Sequence, residues 1–316
     1  MFADRPVPLA GLRCLWATNE GAAVITHNSI LTLLEVAPDL ADNVAIGCID
    51  AASLTYFARN LPTANLLDLS TDQAWTDFSR SQTEGGYGDY GSQRFRDASF
   101  ARYFALMRLM EQKDSPVLYI DGDIAFPSDP RPHLARAAAA PNAAVLIQSD
   151  LSLRPDSRHD ETGRIIRDPG AWRNYCSGLV CWSGADRAKE LSLRIIGGLD
   201  RSVENSHDQH VLNSFPYDDL QDLVILPEEV FPNGSYLFEY NGELKFSTEE
   251  TKARLAKACV VHANWMIGMQ TKINALEKVG LWRLGSAGRP KFRTARRIAI
   301  AMRKLIGAAL RKLRMR

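Results

Sequence analysis

The apolar run Val117-Leu118-Tyr119-Ile120 ends in Asp121-Gly122-Asp123, two carboxylates one residue apart where a buried strand leaves the core. Carboxylate oxygens are the ligands that hard Mg²⁺ or Mn²⁺ prefers, and a cation held in this way ordinarily serves a phosphate-bearing ligand. Gly122 is expected to let the backbone turn between the acids without a side-chain clash. A run without polar alternation reads as a strand buried on both faces. The acid pair therefore emerges at a carboxyl end, where open α/β sheets collect their ligands. Two further apolar runs end in groups of the same kind. Ala143 to Ser149 leads into Asp150, and Ala258 to Val261 leads into His262. Taken alone, D-x-D is also the signature of a solvated turn, and a lone strand-end histidine is more often structural than a ligand.

The surrounding pattern must position these groups. Arg13 to Thr18 reads as a strand, Ala22 to Val36 as a helix and Asn43 to Ile49 as a second strand, which makes a βαβ opening. A helix around Ser53 to Ala58 and a short strand at Asn65 to Leu69 continue the alternation, arguing for a mostly parallel sheet flanked by helices. Residues 81–91, with Gly85-Gly86-Tyr87-Gly88, read as a loop. Ser92 to Gln112 reads as a long helix that delivers the chain into the Asp121 strand. Residues 151–174, polar and rich in Arg, read as a long substrate-facing loop. A strand at Ser177 to Trp182, a helix at Ala185 to Ile196, a short helix opening with Asp208-Gln209 and a strand at Leu223 to Leu226 follow. The strand ending at His262 leads into a last helix through Leu276 to Trp282.

Composition bounds the class. The 316 residues, 46% hydrophobic, suffice for one large α/β domain with additions. The five cysteines lack metal or redox spacing and fit buried thiols in a reducing cytosol. No long uncharged apolar run occurs, and Met1 to Pro6 has neither a basic nor a hydrophobic leader region, so neither export nor membrane spanning is expected. The net charge of +1 conceals an asymmetry. Residues 289–316 hold 11 Lys or Arg and no Asp or Glu, so residues 1–288 carry −10. If helical, the tail places Ile298, Met302, Leu305, Ile306, Leu310 and Leu313 on one face and most basic residues opposite. Residues 285–316 are thus expected to form a basic amphipathic helix appended to a domain of residues 1–284. It suits an anionic membrane surface, or alternatively the acidic body of the same protein. Nucleic acid is not expected, because the tail offers only Phe292 for stacking.

An ordered series of blocks is more specific than any single one. It comprises Phe95-x3-Ser99-x2-Arg102, Val117 to Ile124, Asp129-Pro130, Ser149-Asp150, Ser177-Gly178 and Asp208-Gln209-x3-Asn213. Phe231-Pro232-Asn233-Gly234, His262-Ala263-Asn264-Trp265-x2-Gly268-x3-Lys272 and Gly280-Leu281-Trp282 complete it. This series resembles the nucleotide-diphospho-sugar transferase family, glycosyltransferases of the GT-A fold that include plant rhamnogalacturonan xylosyltransferases. The resemblance spans most of residues 13–283. It implies a Mn²⁺ or Mg²⁺ ion held by Asp121, Asp123 and His262 against the diphosphate of a nucleotide sugar, with a UDP-linked donor expected. It implies Arg102, Gly268 and Lys272 at the diphosphate, Asp208 and Gln209 at the reacting sugar, and Asp150 at donor hydroxyls. Thr18 and Asp50 lie where such folds receive the nucleotide, or else cap the helices that follow. Cys176 departs from the family pattern, standing where relatives commonly carry Asn, as does Met269, where plant relatives often carry a basic residue.

The expected activity is metal-dependent transfer of a sugar to a glycan hydroxyl, with retention, in the cytoplasm or peripherally at the inner membrane face. A lipid-linked glycan in surface-polysaccharide synthesis is the expected acceptor. Two alternatives are a haloacid-dehalogenase-like phosphotransferase, which also places D-x-D after an apolar strand, and a non-catalytic membrane-associated scaffold on a transferase fold.

Overall fold

The computed structural model describes residues 9–80, 93–140, 143–153, 173–200 and 207–285. The chain divides into two units, Met1–Arg283 and Leu284–Arg316. Nearly all of the second unit lies outside the described residues, and with it the expected amphipathic helix. The glycine-rich segment 81–91 and positions 154–172 of the expected polar loop also lie outside.

Nine strands are present among the described residues: β1 (Arg13–Thr18), β2 (Val44–Cys48), β3 (Asn65–Asp68), β4 (Val117–Ile120), β5 (Ile124–Ala125), β6 (Val145–Leu153), β7 (Arg173–Trp182), β8 (Leu223–Ile225) and β9 (Val261–His262). The helices are α1 (Ala23–Val36), α2 (Ala51–Asn60), α3 (Gln73–Arg80), α4 (Gln93–Gln112), α5 (Arg131–Ala138), α6 (Ala185–Gly197), α7 (Asp208–Ser214), α8 (Gly234–Leu237), α9 (Thr248–Leu255) and α10 (Met269–Lys278). Seven strands form one sheet in the order β3-β2-β1-β4-β7-β6-β8, and β5 pairs with β9 in a small second sheet. Within the large sheet β7 alone runs against the other described strands. The carboxyl ends of β1, β2, β4 and β6 therefore gather on one edge, together with the amino end of β7.

Successive residues of these strands feed opposite faces, as the two-residue period demands. Cys14 and Trp16 of β1, Ile46 of β2, Leu118 and Ile120 of β4 and Cys181 of β7 enter the layer under α1, α2 and α5. Leu15, Ala45, Tyr119 and Trp182 enter the opposite layer with Phe100, Phe104 and Leu109 of α4 and Ile195 of α6. Burial on both faces is why the strands carry unbroken apolar runs, each fully buried large side chain contributing roughly 1.5–3 kcal/mol. Arg13 anchors the far end of α4, its Nη1 donating to the Leu109 carbonyl at 2.6 Å and its Nη2 to that of Lys113. A cation on the last carbonyls of a helix meets both an unpaired acceptor and the negative dipole end.

Several boundaries differ from the sequence expectation. β6 runs on to Leu153, so Asp150 lies inside the strand instead of beyond its end, and β7 begins at Arg173 instead of Ser177. Both strands thus extend into what reads as a polar loop, because their pairing continues past the apolar core. The run Ala258 to His262 contributes only two residues of strand, and the last helix stops at Lys278, before Trp282. Residues 281–283 instead close on α1, where the fully buried Asn28 donates to the Leu281 carbonyl at 3.0 Å and accepts from the Arg283 amide at 2.6 Å.

Candidate active site

Asp121, Asp123 and His262 each present one ligand atom to a common point, all within 4.8 Å of one another. Local pairing explains how residues so distant in sequence meet. β9 runs antiparallel to β5 with His262 opposite Ile124, and the Ala263 amide donates to the Asp123 carbonyl at 2.9 Å. The imidazole Nε2 lies 3.2 Å from Asp123 Oδ1 and 3.9 Å from Asp121 Oδ2. It is wholly buried and in ion-pair range of Asp123, but makes no hydrogen bond of good geometry with either acid. Two carboxylates converging on one buried imidazole nitrogen repel each other, a cost that a divalent cation among the three would offset. Two carboxylates and one imidazole also suit Mn²⁺ or Mg²⁺, so the residues present fit such an ion.

The turn between the acids is shaped by crowding. A Cβ at Gly122 would lie 2.2 Å from Thr26 Oγ1 of α1, and the residue is not in the left-handed region, so its glycine serves close approach and not the expected turn freedom. Gly178 on β7 closes the other side. A Cβ there would lie 2.3 Å from His262 Cε1 and 2.7 Å from Asp121 Oδ2. The backbone approaches so closely because β6 and β7 slip register at this point. Ile147 pairs with Val180 but Gln148 pairs with Cys176, leaving Ser177 to Leu179 as a bulge whose Gly178 carbonyl accepts from the Asp121 amide at 2.7 Å. Bulges concentrate beside active sites because they re-aim backbone and side chains.

Arg102 of α4 links the acid pair to a second carboxylate. Its Nη2 lies 3.0 Å from Asp121 Oδ1 and its Nε 3.3 Å from Asp208 Oδ2, while Nη1 donates to the Ser177 carbonyl and the guanidinium lies over the Tyr119 ring. Burial disfavours its charge, but Asp121 and Asp208 outweigh that and raise its pKa well above the ordinary value. Tyr119 and Tyr103 donate to Asp121 and Asp208 at 2.7 and 3.1 Å. Asp208, the first residue of α7, is likewise buried. Desolvation would raise its pKa, yet Arg102, with His207, holds the carboxyl below the usual range. Asp123 follows the same pattern, with Lys272 Nζ at 2.5 Å and His262 as the opposing cations.

The remaining expected site residues fall into two groups. Gln209, which follows Asp208 on α7, donates to Asp150 at 3.1 Å, so those two meet. Lys272 in the first turn of α10 reaches Asp123, and Gly268, at φ 92°, caps that helix in a conformation that favours glycine. Thr18 is buried and accepts from Thr26 Oγ1 at 3.1 Å. Asp50 caps α2, accepting from the Ser53 amide at 2.7 Å and the Glu20 amide at 3.0 Å. Arg102 is occupied by protein carboxylates. Three asparagines of the sequence blocks act as clamps. Asn213 brackets the Tyr175 backbone, Asn233 donates to the Ser149 carbonyl, and Asn264 accepts from the Gly234 amide. Gln148, Tyr103 and Tyr119 join these residues although no motif in the sequence marks them as site residues. A glutamine within a buried apolar strand was the available signal for the first.

The family model of the nucleotide-diphospho-sugar transferases matches residues 40–276. The chain belongs to this family. It is a glycosyltransferase of the GT-A fold, and the phosphotransferase reading is set aside. No protein of curated function matches it by sequence. Among solved structures it is similar to mouse xyloside xylosyltransferase 1 at 14% identity, covering 80% of this chain and 97% of that one with a TM-score of 0.49. It is similar to the galactosyltransferase LgtC at 14% identity, covering 85% and 94%, with a TM-score of 0.47. It is also similar to the bifunctional glycosyltransferase WbbM at 14% identity and a TM-score of 0.49, covering 84% of this chain but only 49% of that one.

Replacing Arg102 by Met would leave Asp208 and Asp121 without their shared counter-ion, which is expected to cost about 3–5 kcal/mol in denaturant unfolding. Asp208 has a lowered folded pKa, so its stabilisation is present above about pH 4 and is lost as pH falls through the folded value. R102M should therefore show a smaller further loss on acidification below pH 4 than the wild type; an equal loss would contradict this account. Gly178→Ala should cost about 1–3 kcal/mol by overpacking. Gly197→Ala, where an added methyl meets nothing within 4 Å, should be neutral or stabilising in the same assay.

Proposed function

We propose that this glycosyltransferase moves a sugar from a UDP-linked donor to a hydroxyl of a glycan, with retention of configuration, using Mn²⁺ or Mg²⁺ held by Asp121, Asp123 and His262. The observation that carries the reading is the convergence of these three ligand atoms at the carboxyl edge of the sheet, with the buried imidazole nitrogen facing both carboxylates. When bound, the cation would neutralise the charge that develops on a departing nucleoside diphosphate, which leaves poorly without it.

The protein's own groups are suited to the remaining tasks. Lys272 is a compact charge beside Asp123, with three donors and a flexible stem, and would contact the diphosphate. Arg102 sets the distance between Asp121 and Asp208. Asp208 is kept ionised by that pairing and would stabilise positive charge on the sugar ring, while the Gln209–Asp150 pair offers both donor and acceptor to sugar hydroxyls. Thr18 and Asp50, at the carboxyl ends of β1 and β2, would border the nucleotide. The basic segment 289–316 would bring the enzyme to the anionic inner face of a membrane, where a lipid-linked glycan of surface-polysaccharide synthesis is the acceptor. No helix among the described residues is long and apolar enough to cross a membrane.

Incubation with UDP-sugars and Mn²⁺, with release of UDP as the readout, tests this reading. Asp121→Ala combined with Asp123→Ala should lower turnover by on the order of a thousandfold, corresponding to about 4 kcal/mol of lost transition-state stabilisation. Undiminished turnover in that variant, or turnover of the wild type that is indifferent to chelator, would refute the role of the cation.

A further inference from the structure

We propose that Gln148 is a positioning residue that holds the His262 ring with its hydrogen on Nδ1 and with Nε2 turned toward Asp121 and Asp123, so that Nε2 is the atom offered to a divalent cation, and thereby sets the affinity of the cluster for that cation. The inference rests on the cation reading above and extends it to a residue that does not touch the cation.

Gln148 is wholly buried on β6, directly after Ile147 and one residue before Ser149. A side-chain amide in such surroundings must satisfy both ends, and its two ends are chemically distinct. Its Nε2 donates to the Phe231 carbonyl at 2.9 Å. A carbonyl can only accept, so the amide orientation follows from chemistry and does not depend on how its oxygen and nitrogen are assigned. The Oε1 must then be the atom 2.7 Å from His262 Nδ1. That oxygen can only accept in turn, which requires the hydrogen on Nδ1. An imidazole that ligates a metal is neutral, so with its hydrogen on Nδ1 the Nε2 lone pair is left for the cation, and Nε2 is the nitrogen that faces the carboxylates that would share it. A second-shell acceptor on a ligating histidine fixes both tautomer and ring plane and raises the basicity of the ligating nitrogen.

The backbone explains how a strand residue comes to face the imidazole. The register slip between Ile147 and Gln148 lies at this position, and the same slip brings Gly178 against the other edge of the ring. Cys176 Sγ lies 3.8 Å from Nδ1 but is itself engaged by Asn264 Nδ2 at 3.7 Å, leaving Gln148 the short, strong partner.

The test uses the full chain without nucleotide, titrated with Mn²⁺ and read by electron paramagnetic resonance of the free ion, alongside thermal unfolding of the metal-free protein. Gln148→Leu removes the acceptor at similar volume and is expected to weaken Mn²⁺ binding 10- to 100-fold. Gln148→Glu keeps an acceptor at the same reach and is expected to bind within about threefold of the wild type or tighter. Wild-type affinity in Gln148→Leu would overturn the inference while leaving the cation site standing. Absence of Mn²⁺ binding by the wild type would remove both. If Gln148→Leu does not fold, Gln148→Glu decides, since a 10-fold or greater weakening there, in a variant that melts like the wild type, overturns the proposal.

Discussion

Charge balance at one edge of a sheet is the constraint on which this structure turns. Asp121, Asp123 and Asp208 are brought together there, the latter two buried. Moving an unpaired carboxylate out of water costs several kcal/mol, so each must be answered by a fixed cation or donor. Arg102 answers two of them at once, its planar fork reaching Asp121 with one nitrogen and Asp208 with another. Lys272 and His262 answer the third. His262 does so through a 3.2 Å ion pair that lacks hydrogen-bond geometry.

The fold meets this constraint through pairings that have little to do with the large sheet's core. Two residues of strand at β5 and two at β9 suffice to place Asp123 beside His262. The register slip between Ile147 and Gln148, one of two between β6 and β7, brings a glycine backbone against the imidazole Cε1 and an amide side chain to its Nδ1. The parallel strands supply the platform and the close approaches supply the site. Specificity of geometry arises from backbone proximity that only glycine permits at 122 and 178, and from asparagine clamps at 213, 233 and 264 that hold neighbouring segments to one another.

Blocks that look catalytic in the sequence thus divide by physical role. In Asp-Gln-x3-Asn the aspartate pairs with Arg102, the glutamine with Asp150, and the asparagine braces β7. In His-x-Asn-Trp the histidine belongs to the cluster, the asparagine ties to Gly234, and the half-exposed Trp265 is held at φ 65°. Asp50 spends both oxygens on backbone amides at a helix start, and Arg102 is satisfied by protein groups alone. A carboxylate or guanidinium in a motif is therefore as much an instrument for holding other motif residues as a contact for ligand.

The amino-acid sequence by itself determined the alternation of strands and helices, the strand ends at which Thr18, Asp50 and Asp121 emerge, and the family, because unbroken apolar runs and ordered blocks are local and additive signals. It identified Asp121, Asp123 and His262 only as members of a recurring series. Tertiary structure alone decided that the three share one point, that Arg102 joins Asp121 to Asp208, that Asp150 lies within a strand, and that Gln148 stands behind His262. These features depend on strand register and on the slip of one strand past another. Register is set by pairing between segments distant in the chain, as between β5 and β9, and no periodicity within either segment records it.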